Sequence, residues 1–258
     1  MPPAVLERMG LDYESLRAVK PDIILTTQTC YGHDGPWRNR GGFDGIGQVM
    51  SGAAFMSGQP GQPMRATAPY VDFGTAALGA LGTVSALYHR QQTGQGQHVQ
   101  AALLQTALTW FSPALIEQAV MGIDRSPSGN RGQTSAPNDI FATNDGHVIM
   151  MVVGRGFFTR VARLIGADSW IDDPDFSTDE QRGDRRDEIC ERVAAWCAVR
   201  STEEVVELLA EAGVPCGPVL DLDDARTRPQ VDAMDIFKNL AGPGYSDTPS
   251  QRFPLSLS

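Results

Sequence analysis

Cysteine is scarce in this 258-residue chain: Cys30, Cys190, Cys197 and Cys216 are all there is, and no two have C-x-x-C spacing. Zinc centres draw on closely spaced ligand pairs, so no metal site is expected. Nothing suggests a disulfide framework either, which points to a reducing, cytoplasmic setting. Basic charge is also in short supply. The formal net charge is -10 and the pI about 4.8. Phosphate backbones need a basic face, so nucleic acid is not an expected partner, and the same acidity argues against an anionic membrane surface. Met1-Pro2-Pro3-Ala4 has neither the basic head nor the apolar run of a secretion signal. The longest uncharged apolar run in mid-chain, Phe73 to Tyr88, falls short of the ~20 residues of a membrane span. It also holds Gly74, Gly79 and Gly82, which suits a tightly packed core helix. There is no internal repeat and no low-complexity tract.

What is present is ordinary globular composition, with 41% hydrophobic and 20% charged residues, in a chain long enough to bury a core. Short helices are predicted at 5–9 and 14–19, then an apolar strand at 22–27 after Pro21. A loop rich in Gly, Asp, Asn and Arg runs from Cys30 to Gly42. A helix is expected over 43–56, a Gly/Pro loop over 57–69, and a long helix from about Asp72 to Arg90, stopped at Gly94. A short strand at 97–101 precedes a helix over 103–121, kinked at Pro113. Residues 126–137 read as a polar linker dividing a portion 1–125 from a smaller α+β region 138–235. That region opens with a hairpin around Asn144-Asp145-Gly146. Helices follow at 157–165, 185–198 and 203–212, the last behind a Ser201-x-x-Glu204 capping box, and then a short strand at 215–219. Residues 236–258 read as a return segment that ends within a strand at Phe253 to Ser258.

Asp72 is the sharpest chemical candidate. At a helix start its ordinary role is an N-cap, since its oxygen satisfies orphan backbone N–H groups. The same position also keeps a partly desolvated carboxylate ionised, and such a carboxylate is a competent nucleophile. Backbone N–H groups near Gly74 are candidate stabilisers of an oxyanion. The loop Tyr31-Gly32-His33-Asp34-Gly35-Pro36 follows the early strand directly, where ligands bind in α/β sheets. Arg38 and Arg40 beside it give local positive charge suited to phosphate. Met50, Phe55 and Met56 are candidate pocket residues, although core packing is their commoner role.

Several segments together resemble one family. Leu6-Glu7-Arg8-Met9-Gly10, Thr29-Cys30-Tyr31-Gly32, Gly42-Phe43-Asp44, Asp72 and Arg90-Gln91-Gln92-Thr93-Gly94-Gln95-Gly96-Gln97 occur in the order seen in class III CoA transferases of the formyl-CoA:oxalate and carnitine CoA-transferase type. The Asn144-Asp145-Gly146 hairpin and Gly213-Val214-Pro215-Cys216-Gly217-Pro218-Val219 match as well. The resemblance implies an α/β chain: an incomplete Rossmann-like large domain plus a smaller α+β domain, in an interlocked dimer. It implies Asp72 as nucleophile, Arg8 as a CoA contact, and Thr29, Cys30, Tyr31 and Gly32 as a CoA-binding loop. The family's first strands and helices have no counterpart here, so an upstream portion or a complementary subunit is expected beside a homodimer.

The reaction so implied moves CoA from an acyl-CoA to a free carboxylic acid through an aspartyl anhydride and an aspartyl-CoA thioester, with no further cofactor. Two alternatives stand beside it. A 2-methylacyl-CoA racemase of the same family needs a His at the position of Phe43, which cannot exchange a proton; His33 is the nearby substitute. A non-catalytic fragment or subunit needing a partner chain is the other.

Overall fold

Helix α1 (Pro3–Met9) begins with a proline, whose fixed φ suits a first helical turn, and stops at Gly10 with φ 65°. Helix α2 (Tyr13–Val19) follows with Asp12 as its cap; the Asp12 carboxylate accepts from the Ser15 N–H at 3.0 Å. The computed structural model of the protein describes residues 1–242, 244–252, 254 and 255. The chain divides into two units, Met1–Asn130 and Arg131–Ser258.

In the first unit, strand β1 (Ile24–Thr29) pairs in parallel with β2 (Gln97–Ala102), Ile24 opposite Gln97 and Thr29 opposite Ala102. The strand runs two residues later than the sequence suggested. Asp22 is instead held by Lys20 at 2.6 Å, and its carbonyl accepts from Arg90 at 3.1 Å. Helix α5 (Tyr70–Thr93) packs on both strands. Its glycines permit that approach: a Cβ at Gly79 would lie 2.6 Å from Gln28 Nε2, and one at Gly82 would lie 2.7 Å from Val99 Cγ1. By length and composition α5 could cross a membrane, a test that core helices of soluble proteins also pass. Its outer face carries exposed Phe73, Leu81, Val84 and Tyr88.

Two expected helices are broken. The 43–56 helix divides into α3 (Asp44–Met50) and α4 (Ala53–Met56), because Gly52 takes φ 87° beneath the Phe111 ring. The 103–121 helix divides into α6 (Leu103–Trp110) and α7 (Ser112–Met121) at Phe111. Pro113 therefore sits in the first turn of α7, where its missing N–H costs no ladder bond.

The second unit carries an antiparallel sheet in the order β3 (Asn138–Ala142), β4 (His147–Met151), β5 (Cys216–Pro218). Val148, Met150 and Val152 are fully buried, while Ile149, Met151 and Val153 face outward, the alternation a half-covered strand requires. The inner face packs against α8 (Arg155–Leu164), α10 (Arg186–Ala198) and α11 (Thr202–Glu211), with α9 (Asp179–Asp184) leading into α10. Cys190 and Cys197 are buried on α10, and burial pushes the Cys197 thiol up to about 11. At the hairpin none of Asn144, Asp145 and Gly146 has positive φ. Asp145 instead accepts from the Thr202 N–H at 2.7 Å and from its hydroxyl at 2.8 Å. Ser201 takes the Glu204 N–H at 3.2 Å, so α11 is capped partly by its own serine and partly by the hairpin turn. Helices α12 (Leu222–Thr227) and α13 (Pro229–Ala233) precede a hairpin of β6 (Phe237–Gly242) and β7 (Tyr245–Gln251). In the tail read as a strand, Phe253 and Ser256 to Ser258 lie outside the described residues.

The sequence reading missed Arg182 on α9. It is 1% exposed, stands 4.8 Å from the Phe158 ring centroid, donates to the Phe176 carbonyl at 2.6 Å and forms an ion pair with Asp179. Asp179 also accepts from the Gly154 N–H at 2.9 Å, so the carboxylate of this ion pair ties α9 to the residue that caps α8. Removing one member of such a pair strands the other. Arg182→Ala should therefore lower unfolding stability by about 3 kcal/mol. Arg182→Lys should recover little, since an ammonium cannot serve carbonyl and carboxylate as a fork does. Urea denaturation checks both; a loss below about 1 kcal/mol in the alanine variant contradicts the assignment.

Candidate active site

Asp72 is not the cap of its helix. Helix α5 begins at Tyr70 behind Pro69, which makes Asp72 the third helical residue. A helix start leaves four N–H groups without intrahelical partners, and here each is accounted for. The cap residue Pro69 has no N–H, and Tyr70 N–H meets the Ala68 carbonyl at 2.9 Å. Val71 and Asp72 both donate to Asp44 Oδ2, at 2.8 and 3.0 Å. Pro69 has no N–H, so a third-position carboxylate cannot close a capping box onto it. The Asp72 side chain is left exposed, and among the described residues its carboxylate has no hydrogen-bond or ion-pair partner. Of the N–H groups near Gly74 read as candidate oxyanion stabilisers, that of Gly74 itself belongs to the helix ladder, because Gly74 is the fifth helical residue. Its lack of a side chain admits Trp110 instead: a Cβ there would lie 2.6 Å from the indole Nε1.

Asp44, part of the Gly42-Phe43-Asp44 motif, is 7% exposed at the first position of α3. Its other oxygen accepts from Gln48 Nε2. Gln48 is 1% exposed and in turn accepts from the Ala66 N–H at 2.8 Å and reaches the Ala66 carbonyl at 3.4 Å. Burial and then the Asp44 charge push the neighbouring Tyr70 hydroxyl up. Asp44 and Gln48 are polar residues one helical turn apart on a short apolar helix. That spacing was the available signal, and without the partner 27 residues on it had no meaning.

The loop after β1 comes close to Asp72. Thr29 is buried and its hydroxyl accepts from the Gly32 N–H at 2.9 Å, with Gly32 at φ 92°. The Cys30 carbonyl accepts from Leu104 at 3.0 Å. Burial pushes the Cys30 thiol up; the Tyr31 hydroxyl opposes this and the Asp72 charge adds to it. Gly42 covers the sulfur so closely that a Cβ there would be 2.3 Å from Sγ. Tyr31 meets Trp37 edge-on at 5.4 Å, and the Arg40 guanidinium lies 4.3 Å above Trp37. Tyr31 and Arg40 are thus linked through Trp37, and Cys30 joins them through the Tyr31 hydroxyl, with Asp72 within electrostatic reach of Cys30. Arg8, in the last turn of α1, and Arg38 are exposed without ion pairs among the described residues. Phe55 and Met56 line a cavity of about 210 Å³ with Phe111, Leu115 and Ile123, whereas Met50 does not.

On the face of the sheet bearing α1 and α2, Thr27 Oγ1 lies between His33 Nε2 at 2.8 Å and His98 Nε2 at 2.9 Å. Tyr13 stacks on His98 at 5.3 Å. Burial lowers both imidazole pKa values: Asp34 opposes the shift at His33 and Arg38 adds to it, while His33 adds to the shift at His98 and Glu14 opposes it.

Along its whole length, residues 1–258, the sequence matches CoA-transferase family III. The chain belongs to that family. It is 30% identical over 260 residues to succinyl-CoA–D-citramalate CoA-transferase of Chloroflexus aurantiacus, covering 99% of this chain and 64% of that protein. It is 28% identical over 254 residues to succinate–glutarate CoA-transferase of Agrobacterium fabrum, covering 98% and 64%. The fold matches a CaiB/BaiF family protein from Brucella suis with TM-score 0.82 and 27% identity, over 100% of this chain and 67% of that one. This family III chain therefore spans somewhat under two thirds of the length of the curated relatives it matches.

Two outcomes follow from this geometry. Gly42→Ala should destabilise the chain by about 1–3 kcal/mol through overpacking, and Cys30→Ala in the same chain should recover most of the loss, as thermal or urea melts would register. Equal melts for the single and double variants would place the strain elsewhere. The two histidines have folded-state pKa values below the ordinary imidazole value, so the unfolded chain takes up protons first. Their contribution is present above about pH 6.5 and is lost as pH falls through the folded values. The stability difference between wild type and a His33→Asn/His98→Asn double variant should shrink from pH 7.5 to pH 5. A constant difference contradicts it.

Proposed function

We propose that this family III chain carries the acyl-exchanging centre of a CoA transferase, with Asp72 as the nucleophile. The observation that carries the reading is the Asp72 carboxylate at an α-helix start, exposed and relieved of capping by Asp44. In the proposed sequence a carboxylate oxygen of Asp72 attacks the thioester carbonyl of an acyl-CoA. A mixed anhydride forms and CoA leaves as thiolate. The thiolate attacks the aspartyl carbonyl, giving an aspartyl-CoA thioester and the first free acid. The acceptor carboxylate attacks that thioester to form a second anhydride, again releasing CoA thiolate. Thiolate attack on the acyl carbonyl then yields the new acyl-CoA and regenerates Asp72. Each step exchanges one carboxylate or thiolate for another, so no net proton, electron or further cofactor is needed, and covalent catalysis divides the exchange into easier parts.

The two relatives above are named for succinate or its CoA ester with a second dicarboxylic acid, so a dicarboxylate acceptor is the first choice for assay. Arg8, Arg38 and Arg40 with the loop Thr29, Cys30, Tyr31 and Gly32 are the proposed CoA contacts, the arginines for the phosphates. A cytoplasmic homodimer, or assembly with a complementary subunit, completes the proposal. The racemase alternative lacks its second base, because the exposed Phe43 occupies that position and the His33 Nε2 is engaged with Thr27.

The test is a covalent trap. The protein is incubated with succinyl-CoA, quenched with hydroxylamine, and the modified peptide mapped by mass spectrometry. Asp72 should carry the hydroxamate, and Asp72→Asn should lose transfer by about a thousandfold or more. The same substitution should leave unfolding stability within about 1 kcal/mol, since only a helix-dipole contribution is removed. A label on another residue, or full transfer by the Asp72→Asn variant, rules the assignment out.

A further inference from the structure

The pair Asp44–Gln48 makes a demand that a cap alone does not explain. Capping two amides needs one acceptor oxygen, and Asp44 Oδ2 already takes both Val71 N–H and Asp72 N–H. A serine or an asparagine would serve there. What sets the chemical identity of residue 44 is its second oxygen, which accepts from Gln48 Nε2. The Gln48 amide cannot turn over, because its Oε1 takes the Ala66 N–H at 2.8 Å and its Nε2 also faces the Ala66 carbonyl at 3.4 Å. The backbone just before α5 thus fixes the orientation of Gln48, Gln48 presents a donor, and only a group that accepts with both of its ends fits at position 44.

We propose that Asp44 is a positioning residue for Asp72: by taking the two amides it keeps the Asp72 carboxylate from turning back to cap its own helix, and Gln48 requires it to be a carboxylate. The arrangement rests on the reading of Asp72 as the reactive group, but the coupling between Asp44 and Asp72 is measurable without turnover. With Asp44 gone, Val71 N–H and Asp72 N–H lose their acceptor, and the Asp72 carboxylate in the same turn is drawn to take its place, as acidic side chains in a first helical turn are drawn to free N–H groups. A carboxylate so engaged is a poorer nucleophile.

The experiment uses a polarity exchange in the whole chain. Asp44→Asn places an amide nitrogen against Gln48 Nε2, donor against donor. Gln48→Glu places two carboxylates face to face. Together the two substitutions restore one donor and one acceptor, and the introduced carboxylate still accepts from Ala66 N–H. Each single variant should melt well below wild type, and the double variant should recover most of the loss. In parallel, carbodiimide coupling of a small amine, followed by peptide mass spectrometry, reports how free each carboxylate is. Asp72 coupling should fall about fivefold in Asp44→Ala, the equivalent of one capping interaction, against exposed Glu7, which has no hydrogen-bond or ion-pair partner among the described residues, as internal reference. In the exchanged double variant it should return toward wild type. If transfer activity is present, kcat should follow the coupling rate across these variants while KM for acyl-CoA stays level.

A double variant no more stable than the worse single variant overturns the role given to Gln48. Unchanged Asp72 coupling in Asp44→Ala, with helix content intact by circular dichroism, overturns the positioning role; if Asp44→Ala does not fold, coupling in the near-isosteric Asp44→Leu, which offers no acceptor, is read instead, with the same two outcomes. Failure of the nucleophile reading looks different: coupling follows the polarity exchange, yet no acyl adduct forms on Asp72.

Discussion

Two backbone N–H groups at the start of an exposed helix must go somewhere, and in this chain they go to a buried carboxylate from another helix. That contact, Val71 and Asp72 onto Asp44, ties the start of α3 to the start of α5. It draws the Ala66 backbone in through Gln48, and it decides what is left for Asp72. Around it the packing is close because side chains are absent. Gly47 lets Val71 within 2.9 Å of where its Cβ would stand, Gly74 admits Trp110, and Gly42 covers Cys30. Thr75 bonds back to the Val71 carbonyl at 2.7 Å and across to Thr106 at 2.9 Å, so the first turn of α5 is fixed on its buried side while its other side faces solvent.

The second unit uses the same device with other residues. Asp145 lies in a hairpin turn and caps α11, 57 residues further along. Asp179, paired with Arg182, joins α9 to Gly154 at the start of α8. In each case a charged side chain satisfies backbone groups that are remote in sequence. At the buried Arg182 such a contact carries a stability effect larger than a surface ion pair, because losing one partner strands a buried donor or acceptor.

Where each element forms was largely legible in the sequence, because that information is local. The Thr93-Gly94 stop of α5, the apolar run of α5, the apolar strand at 147–153 and the Asn144 to Gly146 turn all sit within a few residues of what they specify. The family resemblance rested on such local segments too, and the match over residues 1–258 agrees with it. What was not legible is pairing at a distance. Asp72 looked like a cap because an aspartate at a helix start usually is one; the true cap stood 28 residues earlier. The helix over 43–56 looked continuous because Gly52 is tolerated in a helical pattern, and its contact with Phe111 is invisible along the chain. His33 stood out as a loop residue, while its link through Thr27 to His98 depends on β1 lying beside β2.

The bareness of the Asp72 carboxylate has an evolutionary side. A side chain with no bond among the described residues is nearly invisible to selection for stability, so on the proposed reading it is chemistry that keeps an aspartate there. Asp44 is under the opposite regime, since changing it disturbs folding whether or not the protein catalyses anything. On the proposed reading, fold and reactivity are written in two different residues of one helix start. A descendant could lose the second in a single nucleotide change, remain a well-folded member of its family, and be free to drift toward a binding role.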